Sequence, residues 1–414
     1  MSDAGTGSLP AAGFTPGSRW FVAAIILAQM LTQIGAFTLP ALLPGYIERW
    51  ELSRTEAGWL VGIFFAAYVP AVPVLLALTD RLPVRRVYLI GTGLTALSHL
   101  GFALLADGFW TALAMRALAG IGWAGAYMPG LRAVADPLEG RSQSRAVTWH
   151  AAGVGIAGAV SFGIAGGLAA LGGPQAAFFF GAAAAAAACL IAALLMPRGT
   201  AMARPGPPAG ALLDFRPVLA NRRAVGWIVG YTVHTWEMAA LRAWAVVFLT
   251  ATAARVGTPA WMPDPTLLFT LAGLLGIAAS VAGNESSQRL GRRRLVSGAM
   301  AAAGAASLVV GWATDVSLPL ATAAVMFWIA AIYLDSSALT AGTVQAAEPR
   351  LRGATMGLHS MAGYAGGLMG PLGVGIVLDL AGGDGPLGWG LAFGHLAAIT
   401  LAGLVALRYL SRPA

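Results

Sequence analysis

The sequence predicts an all-α polytopic membrane protein, with twelve transmembrane helices arranged as two pseudo-symmetric six-helix bundles. Three observations predict it. Hydrophobic residues make up 58% of the 414 and charged residues only 10%, with a mean hydropathy of +0.74, whereas a soluble domain carries about 25% charged residues. Twelve long apolar stretches follow one another with short polar breaks, and a bilayer core about 30 Å thick needs roughly 20 apolar residues per spanning helix. Almost all the arginines fall between these stretches, on alternate sides.

Residues 1–19 are polar and rich in Gly and Pro, and read as a disordered cytoplasmic tail. The apolar run from Trp20 is long enough to stay as a helix rather than be cleaved as a signal. Helices are expected at 20–44, 57–78, 87–106, 109–131, 147–171 and 175–196, forming an N-terminal bundle over 20–196. A basic linker, 197–223, carries Arg204-Pro-Gly-Pro-Pro208 at its middle. A C-terminal bundle over 224–409 follows, with helices at 224–250, 266–283, 295–313, 318–341, 354–380 and 388–409, then a short tail, 410–414. Trp20, Trp59, Trp110, Trp227, Trp312 and Trp389 stand near span ends, as an interfacial aromatic belt requires.

All 25 basic residues are arginine. Alternating the loops puts 20 of them on one side and only Arg49, Arg54 and Arg255 on the other. By the positive-inside rule both termini are then cytoplasmic, and the expected location is a bacterial inner membrane. The net charge of +8 does not indicate nucleic acid, because the positives are scattered through short loops rather than gathered in a patch. The single cysteine, Cys189, lies in an apolar stretch and reads as a packing residue. No phosphate loop, zinc-protease string or nucleophile elbow is present, so neither an enzyme nor a cofactor is expected.

An internal repeat joins the halves. Asp80-Arg-Leu-Pro-Val-Arg85-Arg86 opens helix 3 and Gln288-Arg289-Leu-Gly291-Arg-Arg293-Arg294 opens helix 9, an offset of 288 − 80 = 208 residues. Parallel repeats of this kind build transporters with a site between the halves.

These features resemble the major facilitator superfamily over nearly the whole chain. The helix 2–3 loop is similar to its signature Gly-x-Leu-Ala-Asp-Arg-x-Gly-Arg-Arg, with Asp80, Arg81, Arg85 and Arg86 in place, and Leu76 and Pro83 where glycines usually stand. The second-half copy keeps Arg289, Gly291 and Arg293 but has Gln288 at the acid position. Arg116-Ala-Leu-Ala-Gly120-Ile-Gly122 resembles the helix 4 motif, and Glu348-Pro-Arg-Leu-Arg-Gly-Ala354 resembles the lead into helix 11. The resemblance implies a monomeric rocker-switch transporter whose helices 1, 4, 7 and 10 line a central cavity. It further implies that Asp80 and the neighbouring arginines form a gate at the cytoplasmic side. The proline-containing glycine motif of the family's antiporters is absent from helix 5; a Gly366-x-x-x-Gly370-Pro371 string stands in helix 11 instead.

Ionisable residues at membrane depth are costly and so are functional candidates. Arg116, Glu237, Arg242 and Asp335 fall on helices 4, 7, 7 and 10. At about 100° per residue, Tyr231 and Arg242 share one edge of helix 7 while Glu237 lies about 140° away, with His234 between them. Burial near mid-membrane favours the neutral form of Glu237, which makes it a candidate proton carrier. Arg242 and Arg116 are candidates to bind an anionic group. Asp335 is expected in a helix seam. Gln33 and Tyr68 are added as polar contacts on helices 1 and 2. The reading is a secondary transporter of a small solute in the lipid bilayer, coupled to protons, with a lean to anion symport. Organic-cation efflux and a transport-inactive sensor or scaffold are the alternatives.

Overall fold

The computed structural model describes residues 14–79, 81–199 and 214–411. Asp80, the middle of the linker and most of both tails lie outside the described residues. No strand occurs among those described. Helix 1 is split into Arg19–Gln33 and Thr38–Arg49; helices 2 to 6 are Arg54–Leu78, Val84–Leu105, Phe109–Ala135, Gly140–Gly172 and Pro174–Leu195. After a short helix, Arg216–Ala220, helices 7 to 12 are Arg222–Val256, Pro265–Leu290, Arg292–Val310, Leu318–Ala346, Arg352–Leu380 and Pro386–Leu410. Helix 9 runs on into a 3-10 turn, Gly311–Asp315.

Eleven of these spans are long and apolar enough to cross a membrane by composition. Helix 4 falls short on composition because Arg116, Arg132, Pro129 and four glycines dilute it. Its 27 residues still reach about 40 Å at 1.5 Å per residue.

Several helices extend past their expected ends. Apolar patterning sees only the hydrocarbon-facing middle, whereas the ends are set by polar caps. Helix 2 starts three residues early, where Ser53 and Glu56 form a reciprocal capping box: Ser53 N donates to Glu56 Oε2 (2.9 Å) and Glu56 N to Ser53 Oγ (3.1 Å). Asp264 caps helix 8, accepting from Thr266 N at 2.8 Å. Gly257 ends helix 7 at φ 82°, a left-handed value that suits glycine. Trp227 and Trp389 leave the expected belt, since both are buried against other helices, while Trp20, Trp59, Trp110 and Trp312 are exposed.

Glycine sets the close packing. Within the first half, Gly91 and Gly125 put helices 3 and 4 backbone to backbone. Within the second, Gly363, Gly366 and Gly370 of helix 11 leave no room for a methyl group against Tyr231, Thr232 and Trp236 of helix 7. The halves meet along two main seams, and the second segment of helix 1 packs on helix 7 as well. Helix 2 meets helix 11, where a Cβ on Gly58 would lie 2.7 Å from Pro371 O and one on Gly62 3.0 Å from Leu368 O. Helix 5 meets helix 8, where Gly163 N donates to Thr270 Oγ1 at 2.7 Å and Gly273 faces Ala159. These bridging contacts run from the arginine-poor end of the bundle to mid-height.

Candidate functional site

The arginines of the repeated loop motif form two symmetric caps. At the arginine-rich end Arg85 donates to Ala193 O (2.8 Å), at the last turn of helix 6. Its repeat partner 208 residues on, Arg293, donates to Arg408 O (2.5 Å) and Leu407 O (3.3 Å), at the last turn of helix 12. A cation on the unpaired carbonyls of a helix C-terminus is favoured by hydrogen bonding and by the macrodipole. Both arginines therefore brace their own half. Gly291 takes φ 85° at the turn between helices 8 and 9; Arg81, Arg86 and Arg289 are exposed.

Arg116 is buried. The break in helix 1 at residues 34–37 frees Ala36 O, which accepts from Arg116 NH1 at 3.3 Å; Arg116 Nε reaches Leu60 O at 3.4 Å, and the guanidinium lies 5.0 Å from the Phe64 ring. Arg242 hydrogen-bonds the Tyr333 hydroxyl and stands 4.9 Å from the Phe37 ring of the other half. The two arginines expected to hold an anion are thus engaged by carbonyls, a phenol and ring faces.

Glu237 points away from the interface between the halves. It accepts from Trp328 Nε1 at 2.7 Å and from Thr400 Oγ1 at 3.3 Å, on helices 10 and 12. Two donors inside the second half hold this candidate proton carrier within its own bundle. Asp335 Oδ1 is 2.8 Å from His234 Nδ1 of helix 7, with both side chains almost fully buried. Tyr231 is 5.9 Å from the His234 ring and stacks on His359 at 3.8 Å. His359 in turn lies 3.1 Å from Thr343 Oγ1. Titratable and hydroxyl groups so form a string through helices 7, 10 and 11.

Aromatic rings gather at mid-height where the halves meet. Tyr68 lies 4.2 Å from Tyr364 and 5.1 Å from Trp123, and Trp123 lies 6.0 Å from Tyr127. Trp123 Nε1 and Gln33 Nε2 have no hydrogen-bond partner among the described residues.

The arginine-poor end is closed by polar contacts between halves. Asp379, near the end of helix 11, accepts from Arg54 N (2.9 Å), Thr55 N (2.8 Å) and Thr55 Oγ1 (2.6 Å), and so caps helix 2 from the opposite half. Arg54 also forms a two-point pair with Asp384, at 2.8 and 2.5 Å.

The Major Facilitator Superfamily sequence profile matches residues 25–264, more than half of the chain. The chain belongs to the major facilitator superfamily. Its sequence is 29% identical over 124 residues to an uncharacterised MFS-type transporter, YwoD, of Bacillus subtilis, a match covering 30% of this chain and 27% of that protein. The fold is similar to a POT family transporter in complex with a thioalcohol-conjugated peptide (TM-score 0.78, 13% identity, 98% and 99% of the chains covered). It is similar as well to a bacterial homologue of the lysosomal transporter Spinster in an inward-facing, unoccupied conformation (TM-score 0.71, 18% identity, 96% of each chain).

In superfamily terms the sequence reading found the helices that carry the buried charges, but not the groups that join the halves. Asp379, Asp384, Trp123, Tyr127 and Tyr364 were missed. A signal existed for the first two: Arg54 is one of only three arginines on its side, and two acids flank the Gly382-Gly383 turn.

Proposed function

We propose that this superfamily member is a secondary active transporter of a small organic solute, coupled to protons, in which residues 20–196 rock against 224–409. The observation that supports it is the distribution of contacts between the halves. They run from the arginine-poor end down to the aromatic layer, and none of those described above bridges the halves nearer the arginine-rich end. With that end cytoplasmic, this is an inward-open state of an alternating-access cycle. Asp335 and His234 are the proton-coupling pair, since a buried acid–base contact exchanges one proton at low cost when its surroundings rearrange.

The aromatic layer of Tyr68, Trp123, Tyr127, Tyr231 and Tyr364 is the solute's contact surface. Ring faces carry negative potential and attract organic cations or stack on flat solutes. With Arg116 and Arg242 engaged elsewhere, organic-cation or aromatic solutes take precedence over the small anion favoured by the sequence alone.

The test is thermal stability of the purified protein against panels of organic cations, flat neutral solutes and small anions, because a ligand that binds the native state raises Tm. Stabilisation by cations or flat solutes that is lost in Trp123→Ala supports the reading. Stabilisation by anions that is lost in Arg242→Ala returns the anion reading and removes this one.

A further inference from the structure

A groove of about 630 Å³ opens on the outer surface of the second half, between helices 8, 9 and 10. Its lining is largely apolar and includes Gly298 and Ala302 of helix 9 and Phe327 and Leu334 of helix 10. Arg289 and Arg294 stand at its arginine-rich end. The repeat explains why the groove exists. At the positions 208 residues earlier stand Ile90 and Leu94. Two branched side chains of one half are replaced by glycine and alanine in the other, and a Cβ on Gly298 would meet nothing within 4 Å.

The two arginines are free to bind. Their neighbours Arg292 and Arg293 are engaged, by Gln345 and by the helix 12 carbonyls. Among the described residues neither Arg289 nor Arg294 forms an ion pair, Glu285 one turn before Arg289 included. Both are exposed. An apolar channel on a membrane-facing surface, with two uncompensated guanidiniums at the level of one leaflet's headgroups, matches a molecule with an acyl chain below an anionic head. Guanidinium binds phosphate oxygens in a fork, and basic pockets between membrane helices select anionic headgroups.

We propose that this groove is a specific site for one anionic phospholipid, its phosphate on Arg289 and Arg294 and an acyl chain along Gly298 and Ala302.

Native mass spectrometry of the delipidated full chain tests it, titrating phosphatidylglycerol, phosphatidylcholine and inorganic phosphate. Phosphatidylglycerol is expected to bind with defined stoichiometry, and the other two are not. R289Q/R294Q is expected to weaken that binding about tenfold or more. G298I/A302L, which restores the side chains of the first half, is expected to abolish it while elution and helicity stay those of the wild type. Undiminished binding in both variants overturns the proposal. Loss in the arginine variant alone overturns the groove as the acyl site, and binding of inorganic phosphate at the same strength overturns the lipid.

Discussion

Glu237 and Asp335 are both buried carboxyls of the second half, and the proposed mechanism gives them different work. Glu237 is held by an indole N–H and a hydroxyl, which are fixed donors. Asp335 faces a histidine nitrogen, which can give up or take a proton. Glu237→Ala leaves the Trp328 N–H buried without an acceptor, and should cost about 1–3 kcal/mol, read as a lowered Tm. Glu237→Gln keeps an acceptor and should preserve solute-driven proton flux in vesicles loaded with a pH dye. Asp335→Asn should lose that flux with little change in Tm. The assignment fails if Glu237→Gln stops the flux while Asp335→Asn does not. Helical geometry placed both residues at depth, but angles around one helix do not say which neighbour a side chain meets. His234 and Asp335 are 101 residues apart (335 − 234) and meet only through packing of helices 7 and 10.

The elements end where capping groups stop them, and the repeat is visible at those ends. Arg85 and Arg293 hold the final turns of helices 6 and 12 in the same way. Arg293→Ala should lower stability by about 0.3–1 kcal/mol, the range for a cation at a helix C-terminus, measured as a fall in Tm. The helix 2–11 latch is the asymmetric counterpart. Helix 8 is capped by its own Asp264, but helix 2 receives Asp379 from the other half in addition to its own capping box. The Arg54–Asp384 pair is partly exposed and should contribute no more than about 1 kcal/mol by itself. Asp379→Asn should therefore shift conformation more than stability. Spin labels at Asp107→Cys and Thr258→Cys, on exposed loops of opposite halves, in a Cys189→Ser background, should report a longer distance in the Asp379→Asn protein. An unchanged distance distribution would remove the latch from the gating mechanism. Apolar runs and the glycines made the helices legible. The latch was not, because a cap supplied by another half has no sequence spacing.

At the scale of the whole molecule, hydropathy and arginine placement were enough to read the fold, since a bilayer allows few alternatives to a helical bundle. The described structure adds which surfaces of the bundle touch. Gly58→Leu would drive a side chain into Pro371 O. The same label pair should then report a longer distance, and the variant should bind ligand from the arginine-poor side; unchanged accessibility would show that the seam tolerates insertion.

The helix 2–11 seam has a mechanical reading. Gly62 against Leu368 sits about 12 Å inside the start of helix 2, while Asp379 and Asp384 act at the rim. In the proposed rocking motion this seam works as a lever with its fulcrum on glycine. Small rotation about the fulcrum displaces the rim most and the fulcrum least. Rim contacts therefore tune how often the lever tips, whereas side chains at the fulcrum tune how freely it turns. Substitutions at Gly62 should slow exchange in both directions alike, and substitutions at Asp379 should favour one resting position over the other.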